Sequence, residues 1–300
     1  MRAALSTLEV ARPRDLAHAL RIMNAGRGPG SERPTPLAGA TDLLVYLNAG
    51  THAGLRFVDL WGLRELRGVR TGAEGVTLRA LATFSEIREH ALLRRRLPAL
   101  VAAASEVGGR QIQNRATVGG NVANASPAGD SLPALMALDA MVHVRSVRGE
   151  RMIPFASLYR GYRDLALDPD ELITAVRVPF PPPRSRQFFR KVGTRRAQSI
   201  SKVVMAGVLR LGRDRRVDHV RLAWGSVAPV TLRSGRAEAA LLGDAPSPAA
   251  AARARAALMD DIAPIDDIRS DREYRLAVAG NLLEQFLRAA DPRFAHGQGR

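Results

Sequence analysis

From Ala116 to Ala140 the chain reads ATVGGNVANASPAGDSLPALMALDA, and this stretch constrains the fold more than any other. It sets two adjacent glycines, a series of small and amide residues, a Ser-Pro pair and a lone Asp130 ahead of an apolar helical run. A connection that only turns the chain needs one or two residues without bulk. A stretch this depleted of side-chain volume predicts main chain lying against a large anionic ligand. Gly119 and Gly120 allow positive φ or close approach, and Thr117 and Asn121 flank them with hydrogen-bonding groups. Asp130 offers a carboxylate to ribose or ribityl hydroxyls; it fits equally as the N-cap of a helix starting near Pro133.

PLAGATDLLVYL, at 36–47, has the same character. It places Gly39, Ala40, Thr41 and Asp42 in a turn between a predicted strand and an apolar helix. Backbone N–H groups in such a turn point outward together and bind phosphate oxygens. An N-capped helix, with Thr41 or Asp42 as the cap, accounts for the same residues. Two turns of this kind fit one ligand carrying two phosphates better than they fit two unrelated connections.

Around these stretches the pattern alternates between strands and helices, which predicts an α/β or α+β fold. Asp15 precedes a helical face of Leu16, Leu20 and Met23, and GRGPGSERPTP breaks that helix. Strands are predicted at 55–60, 75–82 and 140–147, the last turning at Arg148-Gly149 into a further strand, with helices at 83–93 and 97–107. Leu172, Thr174, Val176 and Val178 alternate as a strand that Pro179 and Pro181 to Pro183 stop. The domain junction is placed there, giving domains at 1–180 and 184–292. In the second, two strands flank the turn Arg213 to Arg216 and a helix follows near 247–262. Ser270 and Glu273 have capping-box spacing before a helix carrying Leu276, Ala279, Leu283 and Phe286 on one face. The second domain is therefore a small sheet packed with helices. Trp224 is assigned to its core, and Tyr159 and Tyr162 to a loop.

Charge narrows the partners. The 45 Lys and Arg against 29 Asp and Glu leave a formal +16, which suits an acidic ligand or surface. With aromatics at 5% and no zinc-finger, RNA-recognition or helix-turn-helix signature, nucleic acid is disfavoured. Almost all the cations are arginine. Lys191 and Lys202 are the two lysines, both within FFRKVGTRRAQSISK, where a compact point charge is available. Cysteine is absent, which excludes a thiolate-held iron–sulfur cluster on this chain. Histidines at 18, 52, 90, 143, 219 and 296 show no metal-ligand spacing. The amino terminus lacks a secretory apolar region and no apolar run reaches membrane-spanning length, which predicts a cytoplasmic protein without a membrane span.

RQIQNRATVGGNVANASPAGDSLPALMALDA closely resembles the signature of the FAD-binding subunits of molybdenum hydroxylases, the group of xanthine dehydrogenase and aerobic carbon monoxide dehydrogenase. LAGATDLL resembles their first flavin-phosphate loop. FFRKVGTRRAQSISKVVMAG and IDDIRSDREYRLAVAGNLLEQFL resemble their carboxyl-terminal domain, so the likeness covers nearly the whole chain. It implies an α+β fold: a two-part FAD-binding domain of the vanillyl-alcohol oxidase type, followed by a small α+β domain. It implies that Ala38, Gly39, Ala40, Thr41, Asp42, Leu43 and Leu44 contact the FAD pyrophosphate. Thr117, Val118, Gly119, Gly120 and Asn121 would form a second loop around the phosphates and ribityl chain, with Asp130 on polar groups nearby. Ile173 would pack near the flavin ring and Lys191 would lie close to the cofactor. The family usually has a second glycine where this chain has Ala40, a change that a negative φ would tolerate.

The implied activity is electron relay, with no catalytic residue or metal site on this chain. A small iron–sulfur subunit and a large molybdenum-cofactor subunit are the implied partners. Electrons from the partner's 2Fe-2S clusters would pass through non-covalent FAD to NAD or oxygen. A self-contained flavin reductase or oxidase, and a non-redox diphosphate-nucleotide module, are the alternatives.

Overall fold

The structure is a computed structural model that describes residues 7–25, 33–52, 54–195, 197–291 and 293–294. The glycine-rich break at 26–32 and His296 lie outside the described residues. Three layers of chain follow one another, and the expected site lies where they meet.

The amino-terminal lobe comprises β1 (Glu9–Ala11), α1 (Leu16–Ala25), β2 (Thr35–Leu37), α2 (Leu43–Ala49) and β3 (Arg56–Asp59). Its strands form a parallel sheet in the order β1-β3-β2, the arrangement that helical crossovers produce. Leu16, Ala19, Leu20 and Met23 repeat at helical spacing on α1 and pack on Val58, Leu60, Leu63 and Leu66. By contrast α2 buries one residue, Leu47.

The second lobe runs through β4 (Val69–Thr71), β5 (Gly75–Arg79), α3 (Phe84–Glu89), α4 (Ala91–Arg96), α5 (Pro98–Glu106), α6 (Arg110–Gln113), α7 (Val118–Asn124) and α8 (Leu132–Ala137). It continues through β6 (Met141–Ser146), β7 (Gly149–Pro154), β8 (Tyr159–Gly161), β9 (Asp164–Leu165) and β10 (Leu172–Pro179). β4-β5-β10-β6-β7 is an antiparallel sheet. Strand alternation sends Val76, Leu78, Val142, Val144, Val176 and Val178 into the core under the helices. The helix expected over 83–93 breaks at His90, whose extended backbone ends α3 and starts α4. Tyr159 and Tyr162, expected in a loop, belong to the β8–β9 hairpin.

After the prolines come β11 (Arg186–Gly193), β12 (Ser201–Leu211), β13 (Val217–Gly225), β14 (Leu232–Arg233), α9 (Gly235–Leu241), α10 (Pro248–Met259) and α11 (Arg272–Ala290). The four strands form one antiparallel sheet in chain order. β12 is apolar on both faces because both are covered: Val203, Met205 and Leu209 pack with α11, while Ala206 and Val208 join the core of the second lobe. Every residue of α8 is buried between that core and the last sheet. Trp224 is fully buried, as expected. The α11 cap is Asp271, whose side chain accepts from the Tyr274 N–H, one residue after the expected Ser270.

Candidate functional site

The first loop leaves β2 at Leu37 and enters α2 at Leu43. Its turn is closed by Leu44 N–H donating to the Ala40 carbonyl at 3.0 Å. Among the described residues, the N–H groups of Gly39, Ala40, Thr41 and Asp42 find no acceptor within the chain. Asp42 heads α2 without a side-chain cap bond, so the N-capped-helix alternative does not account for these residues. The exchange of glycine for Ala40 is not innocuous. Ala40 sits at φ 63°, in the left-handed region, where an L side chain costs about 1 kcal/mol.

The second stretch differs from expectation in conformation. Gly119 and Gly120 do not take positive φ; they lie in the first turn of α7. Thr117 caps that helix, its hydroxyl accepting from Gly120 N–H at 3.2 Å. Val118 N–H donates to Ala82 O at 3.0 Å, Gly119 N–H to Ala80 O at 2.9 Å and Asn121 N–H to Thr117 O at 2.9 Å. All four leading donors of α7 are thus spent inside the protein. This stretch supplies a smooth surface, not a phosphate nest.

Each glycine has its own reason. A methyl on Gly119 would lie 2.8 Å from Ala80 O, so Gly119 lets α7 seat on the second lobe and is buried. A methyl on Gly39 would overlap the Arg115 carbonyl, so the first loop rests directly on the chain leading into α7. A methyl on Gly120 would stand 3.0 Å from Thr117 Oγ1, its own helix cap, and 3.8 Å from the Cβ of Ala38 in the first loop. The two expected loops therefore converge, and Gly120 is the residue at their meeting line.

Beyond Gly120, Asn121 Oδ1 accepts from Ser131 Oγ at 2.6 Å, which ties α7 to the start of α8. Asp130 is next to this tie and is not the α8 cap; Ser131 occupies that position. Lys191 Nζ, on β11, donates to Asp130 Oδ2 at 2.7 Å and to Glu106 O at 3.1 Å. The pair is buried, with side chains 5% and 12% exposed for Lys191 and Asp130. Burial pushes the Asp130 carboxyl up to about 6, and the Lys191 ammonium only partly opposes it. Asp130 Oδ1 is buried with no hydrogen-bond partner. A buried, unsatisfied carboxylate oxygen is the mark of a missing donor.

The remaining expected residues separate from this group. Val118 and Ile173 are buried in the core of the second lobe, Ile173 on β10, which packs against α7. Leu43 is half-buried and Leu44 is exposed on α2. Sequence reasoning missed Tyr46, Asn124 and Arg163. Tyr46 Oη donates to Asn124 Oδ1 at 3.1 Å and accepts from Arg163 Nη2 at 2.8 Å. Tyr46 stands out as the one aromatic in LLVYLNA; a hairpin-tip arginine carries no comparable signal.

A family model described as the FAD-binding domain in molybdopterin dehydrogenase matches residues 6–181, and one described as the CO dehydrogenase flavoprotein C-terminal domain matches residues 188–290. The xanthine dehydrogenase FAD-binding subunit of Escherichia coli O157:H7 is 31% identical over 259 residues, 85% of this chain and 87% of that protein. The nicotinate dehydrogenase FAD-subunit of Eubacterium barkeri is 36% identical over 173 residues, 57% of this chain and 58% of that one. Carbon monoxide dehydrogenase from Hydrogenophaga pseudoflava, solved without the Mo-pyranopterin moiety of its cofactor, contains a chain that superposes with a TM-score of 0.89 at 28% identity, covering 96% of this chain and 98% of that one. With two models matched in chain order and a fold shared end to end, the chain belongs to the family of FAD-binding subunits of the molybdopterin dehydrogenases.

Proposed function

We propose that this chain is the flavin-holding subunit of a multi-subunit molybdenum hydroxylase, carrying FAD non-covalently between a partner's iron–sulfur clusters and an acceptor such as NAD or oxygen. A small iron–sulfur subunit and a large molybdenum-cofactor subunit complete the assembly. The chain itself has no cysteine to hold a cluster. Residues 1–180 form its FAD-binding domain and 184–292 its second domain, and the site of action is the cytoplasm. No helix among the described residues is long and apolar enough to cross a membrane.

The observation that carries the reading is the convergence of a donor-rich loop, a bare glycine and a buried acceptor. Unspent N–H groups at Gly39 to Asp42 hold the diphosphate by hydrogen bonds. Gly120 keeps the facing wall free of side-chain bulk, and Ala38 lies opposite it. Asp130 Oδ1 accepts from a ribityl or ribose hydroxyl, while Lys191 holds Oδ2 and so aims the free oxygen. Ile173 contributes to the apolar floor beneath α7. When bound, FAD supplies the exchange between one-electron donors and a two-electron acceptor. The residues above bind and orient; none is required as an acid or base.

Purified chain is expected to be yellow, with flavin released by denaturation at one FAD per chain. A colourless chain that cannot be reconstituted with FAD overturns the reading.

A further inference from the structure

α2 is weakly built. It is 7 residues long and buries only Leu47, while Leu44 and Val45 stand exposed. A helix this short is not stable alone, so its position depends on its contacts. Gly39 holds its leading end against Arg115. At its other end the contact is polar: Tyr46 joins Asn124, in the last turn of α7, and Arg163.

Arg163 lies at the tip of the β8–β9 hairpin at φ 54°, a left-handed conformation that costs a non-glycine residue about 1 kcal/mol. Its guanidinium is 5.0 Å from the Tyr46 ring centroid as well as bonded to the hydroxyl, and it pulls down the Asp42 carboxyl that desolvation raises. The base of the hairpin is anchored separately. Tyr159 Oη donates to Val122 O in α7 at 3.0 Å, and Arg160 pairs with Asp164 across the strands at 2.7 Å. The hairpin is therefore fixed to α7 at its root and to α2 at its tip.

We propose that this hairpin is a clasp over the far end of the α2–α7 pair, with Arg163 as a positioning residue that sets how fast FAD leaves. The inference rests on the FAD-binding reading above. α2 cannot swing from α7 without breaking the Arg163–Tyr46–Asn124 chain, and that swing separates the first loop from Gly120. Arg163 thereby acts on release through Tyr46, not through the diphosphate.

The test compares the FAD-loaded subunit with Arg163→Leu, Arg163→Lys and the near-isosteric Tyr46→Phe, following flavin fluorescence recovery after dilution. Arg163→Leu and Tyr46→Phe are each expected to speed release about tenfold, as loss of a hydrogen bond to a charged group predicts. Arg163→Lys is expected to recover part of the slow release. Association rate and apoprotein circular dichroism should match the parent in all three. Unchanged release in both Arg163→Leu and Tyr46→Phe, with the parent holding FAD, overturns the clasp and leaves the FAD reading standing. A slowed association with unchanged release also overturns it, since that marks a general loss of structure. A parent that holds no FAD overturns both.

Discussion

Replacing Asp130 and Lys191 singly and together separates what the buried pair does for the fold from what it does for the cofactor. Asp130→Asn removes the charge opposite the Lys191 ammonium, 5% exposed, and leaves it two neutral acceptors, the amide oxygen and the Glu106 carbonyl. Breaking a buried ion pair from one side costs about 3 to 5 kcal/mol, because the surviving charge stays desolvated. Part of that is returned here. Asp130 is held at about 6 against an ordinary 3.8, so its ionised form at neutral pH is disfavoured by about 3 kcal/mol, which the amide no longer bears. Asp130→Asn is therefore expected to cost about 0 to 2 kcal/mol. Lys191→Met removes the one group opposing the burial of Asp130, and the carboxyl should remain protonated at neutral pH. Asp130→Asn with Lys191→Met leaves no buried charge, and the apoprotein should be at least as stable as the parent. FAD affinity should still fall about tenfold to a hundredfold in Asp130→Asn and in the double variant, since an amide is a weaker acceptor than a carboxylate. Urea unfolding of the apoprotein and flavin fluorescence titration read the two quantities independently. A double variant that is as unstable as the worse single variant, or one that binds FAD like the parent, would refute the assignment.

Further expectations concern the loops and pH. Ala40→Gly relieves the left-handed alanine and should raise apoprotein stability by about 1 kcal/mol in urea unfolding; a loss of stability would contradict the observed φ. Gly120→Val, whose first side-chain carbon meets the Thr117 hydroxyl at 3.0 Å, should fold with a weakened α7 cap and lose FAD, whereas Gly119→Val, which has backbone 2.8 Å from its first side-chain carbon, should fail to fold; the opposite ranking would assign the ligand-facing wall to the wrong glycine. Because the Asp130 carboxyl is raised in the folded apoprotein, the native state holds the extra proton between about pH 4 and pH 6, and its contribution to stability falls as pH rises through that window. A hydroxyl donated to Oδ1 favours the ionised form, so FAD affinity should rise from pH 5 to pH 7 with proton release on binding. Calorimetry in two buffers of different ionisation enthalpy would expose the error if no proton is released.

The sequence made the strongly periodic elements legible: α1, β5, β6, β10, β12, β13, α10 and α11 lie close to where their apolar patterns put them. Short pieces were not. β8 and β9 have three and two residues, too few for alternation to show. β11 shows no inside–outside alternation in its sequence, since its residues are mostly half-buried. The lack of bulk near Gly39 and Gly120 marked two segments that the fold does bring together, though not through the positive φ expected at Gly119 and Gly120. Composition marks where backbones come close but not what they approach, so Gly119, seated on Ala80, has the same signature as Gly120, which lies beside Thr117 and Ala38. The Asp130–Lys191 and Tyr46–Arg163 contacts join residues 61 and 117 positions apart, and no local spacing encodes such a pairing.

The distance along the chain between Asp130 and Lys191 also orders events in the cell. The carboxylate leaves the ribosome 61 residues ahead of its ammonium partner, and the partner comes on a strand made after the proline segment. A nascent chain that has completed only its first three-fifths carries Asp130 without the ammonium that opposes the effect of its burial. The second lobe therefore reaches its native electrostatics only once β11 has been made and paired, and a chain cut short before that strand would bury a neutral carboxyl in place of the ion pair.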